Sequence, residues 1–154
     1  MNNTQLSVLG RQTSATTILV IDEQLLVSSA LAYSLRDLGF DAHSIRADLR
    51  AVETAALAHP PGLVLLDLDL GSSPDGEPLD GIDLIAPLRA QGWTVLMLTA
   101  TASLGRTAEA IAQGAASWIV KGATFDELVH AAVEIMQARD PQPEAGSSHT
   151  SSVI

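Results

Sequence analysis

The chain of 154 residues has no cysteine. That absence excludes disulfides, thiolate catalysis and cysteine-based metal sites. Cations are scarce as well: eight Lys+Arg stand against eighteen Asp+Glu, for a formal net charge of −10. This balance argues against direct nucleic-acid binding, which needs cations to displace counterions, and against an anionic membrane surface. Residue 121 is the only lysine. No apolar run approaches the roughly eighteen residues of a membrane span. Residues 1–16 contain no apolar core of a signal peptide. A cytoplasmic location follows as the expectation.

What is present is a repeating order of apolar runs and helical stretches. Apolar runs stand at TTILVI (16–21), LVLL (63–66), TVLMLTA (94–100) and ASWIV (116–120), with a shorter one at FDAHSI (40–45). Between them, residues 24–38, 47–59, 81–91 and 103–113 carry helical spacing, with Leu31, Leu35 and Leu38 as a buried stripe in the first. Gly39 and Gly114 read as helix stops, and Pro87 should kink or shorten the third helix. Thr124-Phe125-Asp126-Glu127 forms a capping box opening a last helix, whose core face is Phe125, Leu128, Val129, Ala132 and Met136. Strands without polar alternation are covered on both faces. The expectation is an α/β fold: a single five-stranded parallel sheet, (βα)5, with helices on both sides. Residues 17–139 form its one domain, 1–16 a disordered extension, and 140–154 a linker or disordered tail. Residues 68–80 read as a loop. The histidines at 43, 59, 130 and 149 read as scattered surface residues without partners.

In such sheets function sits beyond the C-terminal strand ends. Those ends carry Asp22-Glu23, Asp67, Thr99 and Lys121. Three carboxylates held close repel, by about 4 kcal/mol per pair at 4 Å and an effective dielectric of 20. A divalent cation relieves this, and hard oxygen ligands favour Mg²⁺. A carboxylate in such a site can act as a nucleophile, with Lys121 and the Thr99 hydroxyl holding phosphoryl oxygens.

With ILVIDEQ, LVLLDLDL, LMLTAT and SWIVKGA in that order, the chain resembles the response-regulator receiver domain of two-component signalling over roughly residues 17–138. The resemblance implies the flavodoxin-like strand order 2-1-3-4-5. It implies that Asp67 is the phospho-acceptor, and that Asp22, Glu23, Asp67 and the backbone carbonyl of Asp69 bind Mg²⁺. Thr99 is then the switch hydroxyl, Lys121 pairs with the phosphorylated aspartate, and Trp118 stands at the place of a switch aromatic. The implied partner is a sensor histidine kinase, with homodimerisation on phosphorylation. The implied activity is self-phosphotransfer and slow autodephosphorylation, in the service of switching rather than as a dedicated enzyme. DEQLLVSSAL and IVKGATFDELVHAA look most like receivers of LuxR-type helix-turn-helix regulators, so the expected output is transcription through a DNA-binding domain outside this chain.

Departures from the family pattern are Glu23 for a second aspartate, Gly71 and Gly122 for prolines, and an insertion within 71–80. Two rivals remain. DLDLG resembles the nucleophile motif of haloacid-dehalogenase-type phosphatases, but there the second acidic pair follows the lysine, and here it precedes Asp67. An atypical receiver, working as a phosphorylation-independent interaction module, would keep the fold and lose the metal chemistry.

Overall fold

The computed structural model describes residues 16–72, 78–99, 104–120 and 124–139. Five parallel strands form one sheet: β1 (Thr17–Ile21), β2 (Asp41–Ile45), β3 (Leu63–Asp67), β6 (Thr94–Thr99) and β7 (Ser117–Val120), in the order β2-β1-β3-β6-β7. Their helices are α1 (Leu25–Asp37), α2 (Leu49–Ala58), α3 (Ile82–Ala90), α4 (Leu104–Ala112) and α5 (Phe125–Arg139). The fold is the flavodoxin-like (βα)5 architecture that the sequence implies.

Successive strand residues point to opposite faces, and this divides each apolar run between two cores. Leu19, Ile21, Val64, Leu66, Val95 and Met97 face α2 and α3, where they meet Val52, Ala56, Ile85, Leu88 and Trp93. Ile18, Val20, Leu63, Leu65, Leu96 and Leu98 face α1 and α5, where they meet Ala32, Leu35, Val129 and Ala132. This is why the central strands need no polar residue.

Three helices stop in the same way. Gly39, Gly92 and Gly114 have positive φ (101°, 94° and 113°). The next residue in each case returns its N–H to a carbonyl five back: Phe40 to Leu35, Trp93 to Leu88, Ala115 to Ala110. Each of these residues is buried, so the turn also fixes a core side chain. At the last helix the capping box forms as expected. The Thr124 N–H donates to Glu127 Oε2 at 3.0 Å, and the Glu127 N–H donates to Thr124 Oγ1 at 3.1 Å. Pro87 does not end its helix, which continues to Ala90. The proline is exposed, so water can serve the carbonyl left without a donor.

The expected loop over 68–80 is in part a second sheet. β4 (Asp69–Ser72) pairs antiparallel with β5 (Pro78–Asp80), with Asp69 opposite Asp80. Leu68 and Leu70 are buried on the α2–α3 side, Leu79 packs against the same core, and Asp69 between them is exposed. This short alternation anchors the insertion.

The histidines also differ from expectation. His43 Nε2 lies 2.8 Å from Asp41 Oδ1, and its ring centroid is 4.3 Å from that of His59. His130 pairs with Glu134 at 3.3 Å, one helical turn on. Strand and helix geometry, not sequence proximity alone, creates these partnerships. His149, residues 1–15 of the expected extension 1–16 and the expected tail 140–154 lie outside the described residues.

Candidate functional site

The strand register assembles the site. Ile21 of β1 is the partner of Leu66 of β3, so Asp22 and Asp67 stand abreast at the ends of neighbouring strands. Adjacent strands lie about 4.8 Å apart. On the other side of β3, Asp67 is the partner of Leu98, which puts Thr99 one step beyond. Thr99 in turn is the partner of Val120, the residue before Lys121. Lys121 itself lies outside the described residues.

Asp22 and Asp67 are buried, at 2% and 3% exposure, and Thr99 is at 9%. Glu23 and Asp69 are exposed. Local backbone turns hold both buried carboxylates. Asp22 Oδ1 accepts the Gln24 N–H at 2.8 Å, where α1 begins, and Asp67 Oδ1 accepts the Asp69 N–H at 3.1 Å, where the chain turns into the hairpin. Each bond orients an acid two residues before its donor. Trp118 is the register partner of Met97 on edge strand β7 and is 44% exposed. It is set apart from the three buried polar residues.

The side chains at these strand ends offer only oxygen: two buried carboxylates abreast, each with a further acid close in the chain, Glu23 after Asp22 and Asp69 after Asp67. That chemistry suits a small, hard divalent cation and suits transition metals poorly.

Around this centre stand three features that the expected site did not include. Gly81 donates its N–H to the Leu68 carbonyl at 2.8 Å, which closes the insertion directly behind Asp67. Arg106 of α4 grips Asp80 with two bonds, Nη1 to Oδ2 at 2.8 Å and Nη2 to Oδ1 at 3.0 Å. The hydrogen bonds from Arg106 hold the Asp80 carboxyl below its usual value of 3.8, and Asp80 raises the guanidinium in return. Asp80 Oδ1 also accepts the Ile82 N–H at 3.0 Å and so starts α3. Only this last role had a cue, an acidic residue just ahead of an apolar helix. Third, a cleft of about 410 Å³ opens beside Asp22 between α1 and α5, lined by Val27, Leu31, Leu98, Phe125 and Leu128.

The family model for the response regulator receiver domain matches residues 18–133. The chain belongs to the response regulator receiver family. Among its relatives, the DNA-binding response regulator MtrA of Mycobacterium tuberculosis is 33% identical over 127 residues, covering 82% of this chain and 53% of MtrA. The chain therefore spans about half the length of that relative. The receiver domain of NtrX from Brucella abortus superposes with a TM-score of 0.68 at 27% identity, covering 78% of this chain and 98% of that one. A response regulator from Burkholderia pseudomallei, solved with a phosphorylated aspartic acid, a calcium ion and citrate, gives 0.66 at 25% identity over 82% of this receiver and 73% of that chain. MtrA is of OmpR/PhoB type and not clearly of the LuxR type suggested by DEQLLVSSAL. Among the described residues, no helix of this receiver is long and apolar enough to cross a membrane.

Proposed function

We propose that this receiver takes a phosphoryl group onto Asp67 from the phosphohistidine of a sensor histidine kinase, and that the product switches a transcriptional output. The observation that carries this reading is the buried pair Asp22 and Asp67 at adjacent strand ends, with Thr99 on the far side of Asp67. An Asp67 carboxylate oxygen attacks phosphorus, the phosphorus–nitrogen bond breaks, and the imidazole leaves with that electron pair. The Asp69 N–H holds the carboxylate in place. Asp22, Glu23, Asp67 and the Asp69 carbonyl would hold Mg²⁺, which supplies neutralisation of the charge that gathers on the transferring group. Glu23 is exposed and one methylene longer than the usual aspartate, a length that would let it turn toward a bound ion. Thr99 donates its hydroxyl, and Lys121 its ammonium, to the phosphoryl oxygens. The acyl phosphate is later hydrolysed.

The new group adds roughly one to two negative charges beside Thr99. The strand pair β6–β7 carries that change outward, to a surface where Ile111, Trp118 and Val120 are exposed. A second copy of the receiver binds there on phosphorylation. The kinase meets the other side, where the exposed Leu25, Leu26 and Val27 open α1 next to Asp22. The name of MtrA supports DNA binding by a module outside this chain, and its OmpR/PhoB type favours that kind of output over a LuxR-type one. The match over 18–133 leaves the phosphatase rival without support.

Borohydride reduction after incubation with acetyl phosphate and Mg²⁺, followed by peptide mapping, tests the acceptor. Reduction converts an aspartyl phosphate to homoserine. Homoserine at position 67 is expected; at 22 or 69 it would transfer the role to another acid, and at none it would leave the atypical interaction module.

A further inference from the structure

Far from Asp67, at the N-terminal side of the sheet, three side chains from two elements converge. Asp41 opens edge strand β2 and is the register partner of Thr17, the first residue of β1. His43 lies two residues on and so projects to the same face of β2. That face looks toward α2, since Ile45, the next residue on it, packs with Val52 and Ala56. His59 is the C-cap of α2 and comes down onto the same spot. One ligand atom from each of Asp41, His43 and His59 lies within 4.8 Å of the other two.

We propose that Asp41, His43 and His59 form a binding site for a divalent transition-metal ion of the zinc class. Two imidazoles and one carboxylate are a donor set that such ions prefer and that Mg²⁺ does not. Around tetrahedral zinc, at about 2.0–2.1 Å, ligand atoms stand roughly 3.3 Å apart. His43 Nε2 and Asp41 Oδ1 are at 2.8 Å, and the His43 and His59 rings are tilted by 33° at 4.3 Å. Side-chain rotation reaches the bound arrangement, because Asp41 is exposed and both histidines are only partly buried. The Thr17 hydroxyl donates to the other Asp41 oxygen at 3.4 Å and steadies it from outside the site, as supporting groups around metal ligands do. Three protein ligands leave a fourth position for water. The bound ion would pin the end of α2 to the exposed edge of the sheet and stabilise the fold by linkage.

The test is titration of the full chain with Co²⁺, followed by its visible ligand-field bands, and then with Zn²⁺ in competition. Excess Mg²⁺ is present throughout to occupy the Asp67 carboxylates. The same titration is run on His43→Gln, His59→Gln and Asp67→Ala, each checked for native circular dichroism. The expected result is one tetrahedral Co²⁺ per chain, displaced by Zn²⁺. Binding should weaken about tenfold or more in each histidine variant and stay unchanged in Asp67→Ala. Zinc should raise the melting temperature of the wild type but not of the histidine variants. Absence of tetrahedral bands in the wild type would overturn the site. So would bands that persist in both histidine variants, which would place the ion elsewhere, or bands that vanish with Asp67.

Discussion

Gly81 lies against the backbone of Asp67: a Cβ built on Gly81 would stand 2.4 Å from the Asp67 carbonyl oxygen and 2.9 Å from the Leu68 Cα. Both neighbours are backbone, so neither can rotate away. Gly81→Ala must push β3 or the start of α3, and the displaced segment is the one that carries the proposed acceptor. Overpacking of this kind costs about 1–3 kcal/mol. Urea unfolding should register that loss, and phosphorylation by acetyl phosphate should slow while the variant is still folded. A variant as stable and as fast as wild type would show that the contact is easily relieved.

The Asp80–Arg106 pair ties the insertion to α4, the helix that follows Thr99 in the chain. Asp80 has a lowered folded pKa, so its contribution to stability is fully present above the ordinary value of 3.8 and is lost as pH falls through the folded value. Both side chains are about two-fifths exposed, at 39% and 42%, so the pair is worth no more than about 1 kcal/mol. Arg106→Gln should therefore unfold at slightly lower urea than wild type at pH 7, and the gap should shrink as pH falls below 3.8 and through the lowered folded value. A gap that is constant with pH would assign the loss to packing of the arginine stem.

Trp93 is fully buried and donates its indole N–H to the Ala56 carbonyl at 3.3 Å, joining α2 to the start of β6. Trp93→Phe removes that bond and leaves unfilled volume, at a cost of about 2 kcal/mol. Its fluorescence is equally specific. The remaining emission comes from the exposed Trp118, and should be red-shifted and uniformly open to acrylamide. A shielded component persisting in Trp93→Phe would mean that Trp118 is covered.

The parts legible in the sequence are those written in local pattern. Unbroken apolar runs marked the sheet, Gly39 and Gly114 marked helix ends, and the Thr124–Glu127 spacing marked the last helix start. The strand-end acids were legible because parallel β-α order carries every strand end to one edge. The hairpin was not, because Asp69–Ser72 and Pro78–Asp80 are too short for a periodic signal and owe their pairing to Leu68, Leu70 and Leu79 in the core. The grip of Arg106 on Asp80 spans 26 residues, and the meeting of His43 with His59 depends on how α2 ends. Neither has a local cue. The Trp93–Ala56 bond and the approach of Gly81 to Asp67 likewise come from tertiary packing and have no local cue.

The most direct test of the account is the intact mass of the chain after incubation with acetyl phosphate, with and without Mg²⁺, for wild type and Asp67→Ala. The account predicts a gain of one phosphoryl group by the wild type only when Mg²⁺ is present, and no gain by the variant. A folded wild type that gains nothing, or an Asp67→Ala chain that gains as much, would contradict it.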